Sequence, residues 1–540
     1  MIIKENNRIC KNFQEENMKT LSLILKDNSN TEYGKLYNFL NIKNYEEYKN
    51  SVPLCEYSDF KKYINLMYKG EKNILTKYDV ISYCKTSGTT NDPKIIPVTG
   101  KAIERYSYDF DINKQIILKE YRTKNGVGKR LFAHIFSVDR NDSFDKCEVI
   151  SEIFYLNMYK KGKLIEDEHV GGFDLLFDSE TKDVFYAKLW AALLEENIII
   201  IEDIFMSKII LFLNYFEKNY KNIISDILNK SIPQDKIISQ KVKNKLLSLP
   251  IDSRRLEYIL EECNKGFNNI VKRIWPKIQI INGITTKTSF HEKKILDKYC
   301  GNIPRENFTY AMSEAYIGYS EFPNSFEYTF YHKGAFFEII SYKDDKGNKL
   351  EEKVYLLSEA KPGYFYQLVL TNFSGFYRYK TGDIIKITGI NESKITFEFI
   401  KRINLELNII EERVEIGELE SVMKKIENKI PNILQYSFGA NYNGFQGIYY
   451  LFLALNGERK NVNENDIAKI MDEILCKINY FYNSERKSNN LGMPKVFINN
   501  LEEYLKIIDI CGKNKRRDKT INILPIDKLD EVLKKGIIKF

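Results

Sequence analysis

Apolar residues recur at helical spacing early in the chain, at Leu21, Leu23, Ile24 and Leu25 and then at Leu36, Phe39 and Leu40. That spacing predicts a run of helices over the first eighty or so positions. From Phe185 the pattern alternates. Tyr186, Leu189, Trp190 and Leu193 share a helical face, Ile198 to Ile201 form a β-branched run, and Met206 to Phe216 is apolar at helical spacing again. Helix, strand and helix in succession predict α/β layering. Between Phe326 and Phe399 the segments read as strands, separated by turns such as Asp344-Asp345-Lys346-Gly347 and Lys361-Pro362-Gly363. After Asn404 the pattern predicts a helix at about Gly417 to Lys429, a strand at Ile448 to Leu455 and a helix near Ile467 to Phe481. These last 140 or so residues have the size of one small α+β domain. No internal repeat, long Gly/Ser or Pro linker or extended charge block interrupts the chain.

Composition narrows the class. The chain has 540 residues, 43% hydrophobic and 29% charged, with a mean hydropathy of −0.39. That balance is globular, neither disordered nor membrane-embedded. At roughly 100–200 residues per domain, the length predicts two to four domains with a large core. The net charge of +8, from 82 Lys+Arg against 74 Asp+Glu, is spread thinly and predicts no nucleic-acid partner. Four histidines exclude a His-rich metal cluster. The chain starts Met1-Ile2-Ile3-Lys4-Glu5-Asn6-Asn7, polar where a signal peptide needs an apolar core. The richest apolar stretch, Ile209 to Phe216, is flanked by Lys208, broken by Asn214 and far short of the ~18 residues of a membrane span. No Cys-x-x-Cys pair occurs among the eight cysteines, so neither zinc nor a dithiol site is signalled. The expectation is a cytoplasmic monomer without a membrane partner.

Three segments carry candidate chemistry. Lys85-Thr86-Ser87-Gly88-Thr89-Thr90-Asn91-Asp92-Pro93-Lys94 gathers hydroxyls around one glycine. Such a turn converges N–H and O–H donors on an anion such as a triphosphate, with Lys94 as an added point charge. It is not the Walker pattern, and a polar surface turn has the same composition. Tyr310-Ala311-Met312-Ser313-Glu314 pairs an aromatic ring with an acid and says little alone. Gly375-Phe376-Tyr377-Arg378-Tyr379-Lys380-Thr381-Gly382-Asp383 ends in an acid before the β-branched Ile384, Ile385 and Ile387. A carboxylate at that turn suits the two vicinal hydroxyls of a ribose. The competing reading is a hairpin turn.

Together the three segments resemble the adenylate-forming superfamily, and within it the auxin-responsive acyl acid amido synthetases. Thr31-Glu32-Tyr33-Gly34-Lys35, Val52-Pro53-Leu54 with Tyr57, Gly70 and Trp275-Pro276 stand where that family has similar residues. Phe376-Tyr377-Arg378-Tyr379 is characteristic of the amido synthetases, and Phe399-Ile400-Lys401-Arg402-Ile403-Asn404 resembles their hinge. The resemblance runs from about residue 20 to 535. It implies an α/β fold with a large N-terminal domain over residues 1–401 and a mobile C-terminal α+β lid over 402–540.

It also implies roles. Thr86, Ser87, Gly88, Thr89, Thr90 and Lys94 match the phosphate loop; Tyr310 the adenine-stacking ring, beside Ser313; Glu314 the Mg²⁺-binding acid; Asp383 the ribose ligand. Arg402 falls at the hinge, within reach of ribose or phosphate, and Arg413 replaces a lysine that faces the nucleotide. Lys519 aligns with the catalytic lysine of the small domain, with Lys513 and Lys515 as rivals; Thr89 and Glu314 complete the catalytic set. The departures are Asn91 in place of a loop glycine, the acidic Asp92, and Ile521-Asn522 where Pro-Arg is usual. The cofactors implied are ATP and Mg²⁺, and the partners a small carboxylic acid and an amino acid or other amine.

The implied reaction is attack of a carboxylate on ATP to give acyl-AMP and pyrophosphate, then capture of the acyl group by a neutral amine. Two rivals stand beside it. An adenylate-former would pass the acyl group to CoA or another nucleophile; a decayed site, suggested by Asn91 and Asp92, would only bind. The acyl pocket is expected from the helix near Arg105 to Tyr121 and from Thr285 to Phe290, with Lys119 and Arg122 as partners for a substrate carboxylate.

Overall fold

The structure is a computed structural model. It describes residues 12–85, 94–107, 128–285, 290–322, 325–402, 406–407, 409, 412, 414–442, 446–457, 462–510, 523–524, 529 and 531–532. Two compact units emerge, the larger ending at Ile400 and the smaller made chiefly of residues from Lys401 onward. The fold is α/β, as expected.

In the larger unit, strands β1 (Val80–Lys85) and β2 (Ile95–Thr99) form an antiparallel pair, with Lys85 opposite Ile95. Strands β3 (Lys129–Phe132), β4 (Ile198–Phe205), β5 (Ile280–Ile284) and β6 (Arg305–Glu306) form a parallel sheet in the order β3-β4-β5-β6. The β-branched run of β4 is buried throughout, which is what a parallel strand covered on both faces requires. The helix Val184–Leu194 precedes β4 and Met206–Leu228 follows it. Trp190, Phe212, Phe216 and Trp275 pack with Ile198 and Ile201 in one core cluster. Tyr186, Leu189, Trp190 and Leu193 are buried as their spacing predicts, yet so are Ala187, Lys188, Ala191 and Ala192. The helix is enclosed on all sides rather than along one stripe.

Strands β7 (Thr309–Ala311), β8 (Tyr316–Tyr319), β9 (Glu327–Phe330), β10 (Phe336–Lys343), β11 (Val354–Leu356), β12 (Phe365–Thr371), β13 (Tyr379–Asn391) and β14 (Lys394–Arg402) make a second sheet. Its order is β11-β10-β12-β13-β14-β9-β8-β7. The N-terminal helices pack on it: Phe13, Ile24, Tyr48 and Phe60 share a core with Phe336, Tyr366 and Phe397. Asn17 locks this contact, donating to the carbonyls of His332 (2.9 Å) and Ala335 (2.7 Å) and accepting from the Phe337 amide (3.0 Å). One early expectation fails in part. Leu36 and Leu40 are 60% and 79% exposed, because the helix there is only Glu32–Leu36 and its buried residues are Tyr33 and Gly34.

The smaller unit carries short strands β15 (Glu406–Leu407) and β16 (Val414–Glu415) and a sheet of β17 (Ile433–Tyr442), β18 (Gly447–Leu455) and β19 (Lys495–Asn500). Helices Ile416–Lys429 and Glu464–Ile478 supply its core through Leu419, Met423, Ile467 and Met471. The helix predicted to run to Phe481 stops at Ile478, where the Asn479 side chain caps a new helix, Tyr480–Lys487. No described helix is long and apolar enough to cross a membrane.

Candidate active site

The parallel sheet and the eight-stranded sheet of the larger unit meet in sequence at Asn307, between β6 and β7. Its side-chain amide donates to the Thr285 carbonyl (2.9 Å), tying the carboxyl end of β5 to the start of β7. Crevices outside the carboxyl ends of parallel strands are where α/β folds bind ligands. Strand β7, which carries Tyr310, begins two residues after Asn307.

Tyr310 donates its hydroxyl to the Asp383 carboxylate. Its ring lies 5.6 Å from Phe399 at 32°, with Phe397 edge-on at 5.4 Å. Asp383 is buried. The sequence reading placed this acid in a turn; it lies inside β13. Gly382 adopts φ +82°, and the ladder slips between Gln367–Ile384 and Val369–Lys380, two residues of β12 facing four of β13. A bulge of this kind redirects a side chain without ending the strand. Thr381 holds it, donating to the Leu368 carbonyl (2.8 Å) and accepting from the Asp383 amide (3.1 Å).

Glu314 lies in the turn between β7 and β8, which the Met312 amide closes on the Ala315 carbonyl (2.9 Å). Two groups fix this turn from outside: the Tyr106 hydroxyl donates to the Met312 carbonyl, and Asn372 donates to the Glu314 carbonyl at 2.7 Å. The Glu314 carboxylate is 6% exposed and accepts from the Tyr379 hydroxyl at 3.3 Å. Ser313 beside it is half-buried. Lys94, just before β2, donates its ammonium to the same Tyr379 hydroxyl (2.9 Å) and lies 5.5 and 5.6 Å over the rings of Tyr57 and Tyr379. Tyr57 in turn accepts from the Ile95 amide (2.8 Å) and donates to the Ile95 carbonyl (3.1 Å), so the start of β2 is held firmly.

Four residues singled out in the sequence are therefore brought together, Tyr310 with Asp383 directly and Lys94 with Glu314 through the Tyr379 hydroxyl. A buried carboxylate, an ammonium and an aromatic ring beside a second carboxylate form a donor set suited to a nucleotide and its cation.

Comparison with known proteins settles the kinship. The model of the GH3 family N-terminal domain matches residues 2–305, and that of the GH3 family central domain matches residues 328–402. The chain belongs to the GH3 family. Indole-3-acetic acid-amido synthetase GH3.2 of Arabidopsis thaliana is 24% identical over 510 residues, covering 90% of this chain and 92% of that protein. Jasmonoyl–L-amino acid synthetase JAR4 of Nicotiana attenuata is 23% identical over 524 residues, covering 94% and 90%. In fold the chain is similar to the AtGH3.15 acyl acid amido synthetase solved in complex with 2,4-DB, with a TM-score of 0.83 at 21% identity, covering 100% of this chain and 96% of that one.

The GH3-type motif Phe376-Tyr377-Arg378-Tyr379 divides its labour. Gly375 has φ +101°, and a Cβ there would stand 2.4 Å from that of Leu75. Phe376 is buried, and Tyr377 stacks on Tyr33 (4.9 Å) while donating to the Leu75 carbonyl (2.7 Å). Arg378 is buried with φ +46°; it pairs with Glu338 at 3.0 Å and donates to the carbonyls of Lys49 (2.9 Å) and Val52 (2.8 Å). Burial pushes the Glu338 carboxyl up, and the Arg378 guanidinium and the Tyr45 hydroxyl pull it back. Of the four, only Tyr379 reaches the site. Three further residues of the resemblance are structural too: Thr31 caps the Gly34 amide (2.9 Å), a Cβ on Gly34 would lie 2.0 Å from the Asn28 carbonyl oxygen, and Trp275 donates to the Ala192 carbonyl (3.0 Å).

Thr86, Ser87, Gly88, Thr89 and Thr90, Arg413, and Lys513, Lys515 and Lys519 lie outside the described residues, as do Lys119, Arg122 and most of the expected acyl-pocket segments. The Arg105 guanidinium, at the start of one such segment, lies 4.7 Å over the Phe373 ring. Arg402 is half-buried at the end of β14. The sequence pattern gives no separate role to Tyr379, Asn372 or Tyr106. A tyrosine three residues before the Gly382–Asp383 pair is the available signal for Tyr379; nothing local marks the other two.

Proposed function

We propose that this GH3 protein is an ATP-dependent acyl acid–amino acid ligase, which activates a carboxylic acid as acyl-AMP and transfers the acyl group to an amine, releasing AMP. The observation that carries this reading is the grouping of Tyr310 with Asp383 and of Lys94 with Glu314 in a chain of the GH3 family. The names of the curated relatives, acid-amido and jasmonoyl-amino acid synthetases, support it.

In this reading Asp383 accepts the ribose hydroxyls, and the nucleotide takes over the contact that the Tyr310 hydroxyl makes with it. The Tyr310 ring offers the base a π-face. Lys94 and the hydroxyls of the Thr86–Thr90 segment neutralise charge on the phosphates, aligned for attack at the α-phosphorus. Glu314, a single hard carboxylate, fits Mg²⁺, which prefers one or two protein oxygens and completes its shell with phosphate and water. Bound there, Mg²⁺ would offset the charge of the phosphates. Lys519, Arg402 and Arg413, the domain boundary at 401/402, and action as a cytoplasmic monomer belong to the same proposal.

The test is ATP–pyrophosphate exchange with a panel of carboxylic acids, then AMP release with amino acids or CoA as acceptor. Exchange with at least one acid, and AMP release stimulated by an amino acid, is expected. Stimulation by CoA alone would assign a different ligase, and no exchange together with no ATP binding would leave only a binding protein.

A further inference from the structure

One hydroxyl stands between the two charged groups of the site. The Tyr379 oxygen accepts from Lys94 (2.9 Å) and donates to Glu314 (3.3 Å), a division that a phenol allows and neither partner can make alone. The ring is 1% exposed and packs against Phe376 (4.9 Å) and Phe60 (6.3 Å). Its backbone is pinned from both sides. The Cys55 amide donates to the Arg378 carbonyl (3.0 Å), and the Lys380 amide donates to the Cys55 carbonyl (2.8 Å). Arg378 is itself anchored by Glu338 and by the carbonyls of Lys49 and Val52. The oxygen is thus carried by an enclosed ring on a pinned backbone, and it serves an ammonium on a flexible four-carbon stem.

Resting on the adenylation reading, we propose that Tyr379 is a positioning residue for metal–nucleotide binding. Its hydroxyl holds the Glu314 carboxylate in the orientation that accepts the cation and keeps the Lys94 ammonium beside it before nucleotide arrives. When the phosphates enter, Lys94 exchanges the phenol oxygen for a phosphate oxygen, while the hydrogen bond to Glu314 stays to orient the carboxylate. Partners that hydrogen-bond a metal-binding carboxylate typically contribute 10–100-fold to metal affinity.

The test uses the full chain with Tyr379→Phe, which keeps the ring and removes only the oxygen. Tyr377→Phe is the control; it removes the neighbouring hydroxyl that serves the Leu75 carbonyl rather than the site. Binding of Mn²⁺–ATP is followed by the loss of the free-Mn²⁺ paramagnetic resonance signal, a readout independent of turnover, below the thermal transitions of all variants. Tyr379→Phe should bind about tenfold more weakly than wild type, with Tyr377→Phe unchanged. Wild-type affinity in Tyr379→Phe, or an equal loss in both Tyr→Phe variants, would overturn the proposal while leaving the ligase intact. A wild-type protein that neither binds Mn²⁺–ATP nor exchanges pyrophosphate would sink the ligase reading and this inference together.

Discussion

Arg378 and Tyr379 are neighbours in the chain and opposites in role. The Arg378 side is a closed cluster: guanidinium, Glu338, the Tyr45 hydroxyl and two backbone carbonyls satisfy one another in the core. The Tyr379 side is an open chain of side chains, Lys94 to Tyr379 to Glu314, and in the proposed function Lys94 and Glu314 are the groups that phosphate and cation would engage. Burial alone does not separate them, for Arg378, Tyr379, Glu338 and Glu314 are all buried. What separates them is whether the partners are fixed backbone and core groups or side chains facing a ligand. A closed polar cluster holds the chain in its left-handed turn at Arg378 (φ +46°) and so aims the next residue.

The contrast breaks most visibly at the closed cluster. Arg378→Met leaves the Glu338 charge buried without its cation and should cost about 3–5 kcal/mol of stability, read as a large drop in the urea midpoint; a loss below 1 kcal/mol would show that the pair is not holding the motif. On the open side, Glu314→Gln should lower pyrophosphate exchange about a hundredfold, equivalent to ~2.7 kcal/mol, with the thermal midpoint nearly unchanged. Unfolding in place of lost exchange would move Glu314 to the structural class.

A second buried cation tests whether closure matters. Lys188 is 1% exposed, and burial pulls its ammonium down to about 7, opposed by Asp203 and Glu202. The unfolded chain then holds more protons between that value and the ordinary lysine value of ~10.4. Stability should therefore rise with pH across this window, by at most about 1.4 kcal/mol per pH unit, and the burial penalty is fully present below pH 7. Lys188→Met should flatten the slope in urea unfolding between pH 7 and 9. Identical slopes in the two proteins would mean that Lys188 stays charged and compensated. The smallest effect is expected from Tyr377→Phe, about 1 kcal/mol for one buried hydrogen bond, measured by the thermal midpoint.

Much of the candidate site was legible as residue types. Each segment alone has an ordinary structural reading; it is the resemblance carried by the three together that named Lys94, Tyr310, Glu314 and Asp383 without coordinates. Their pairing could not. Tyr310 and Asp383 are 73 positions apart, and Lys94 and Tyr379 are 285 apart. The strand pattern from Phe326 to Phe399 was readable, but the bulge that turns Asp383 inward depends on its register with β12.

By itself the sequence determined the element types, because hydrophobic period and turn residues act over a few positions, and it determined which chemistry was available. Only the tertiary structure decided which of the clustered motif residues join Lys94 and Glu314 and which join the core. Tyr377, Arg378 and Tyr379 look equivalent in a string; what they touch is set by strands and helices that arrive from hundreds of residues away.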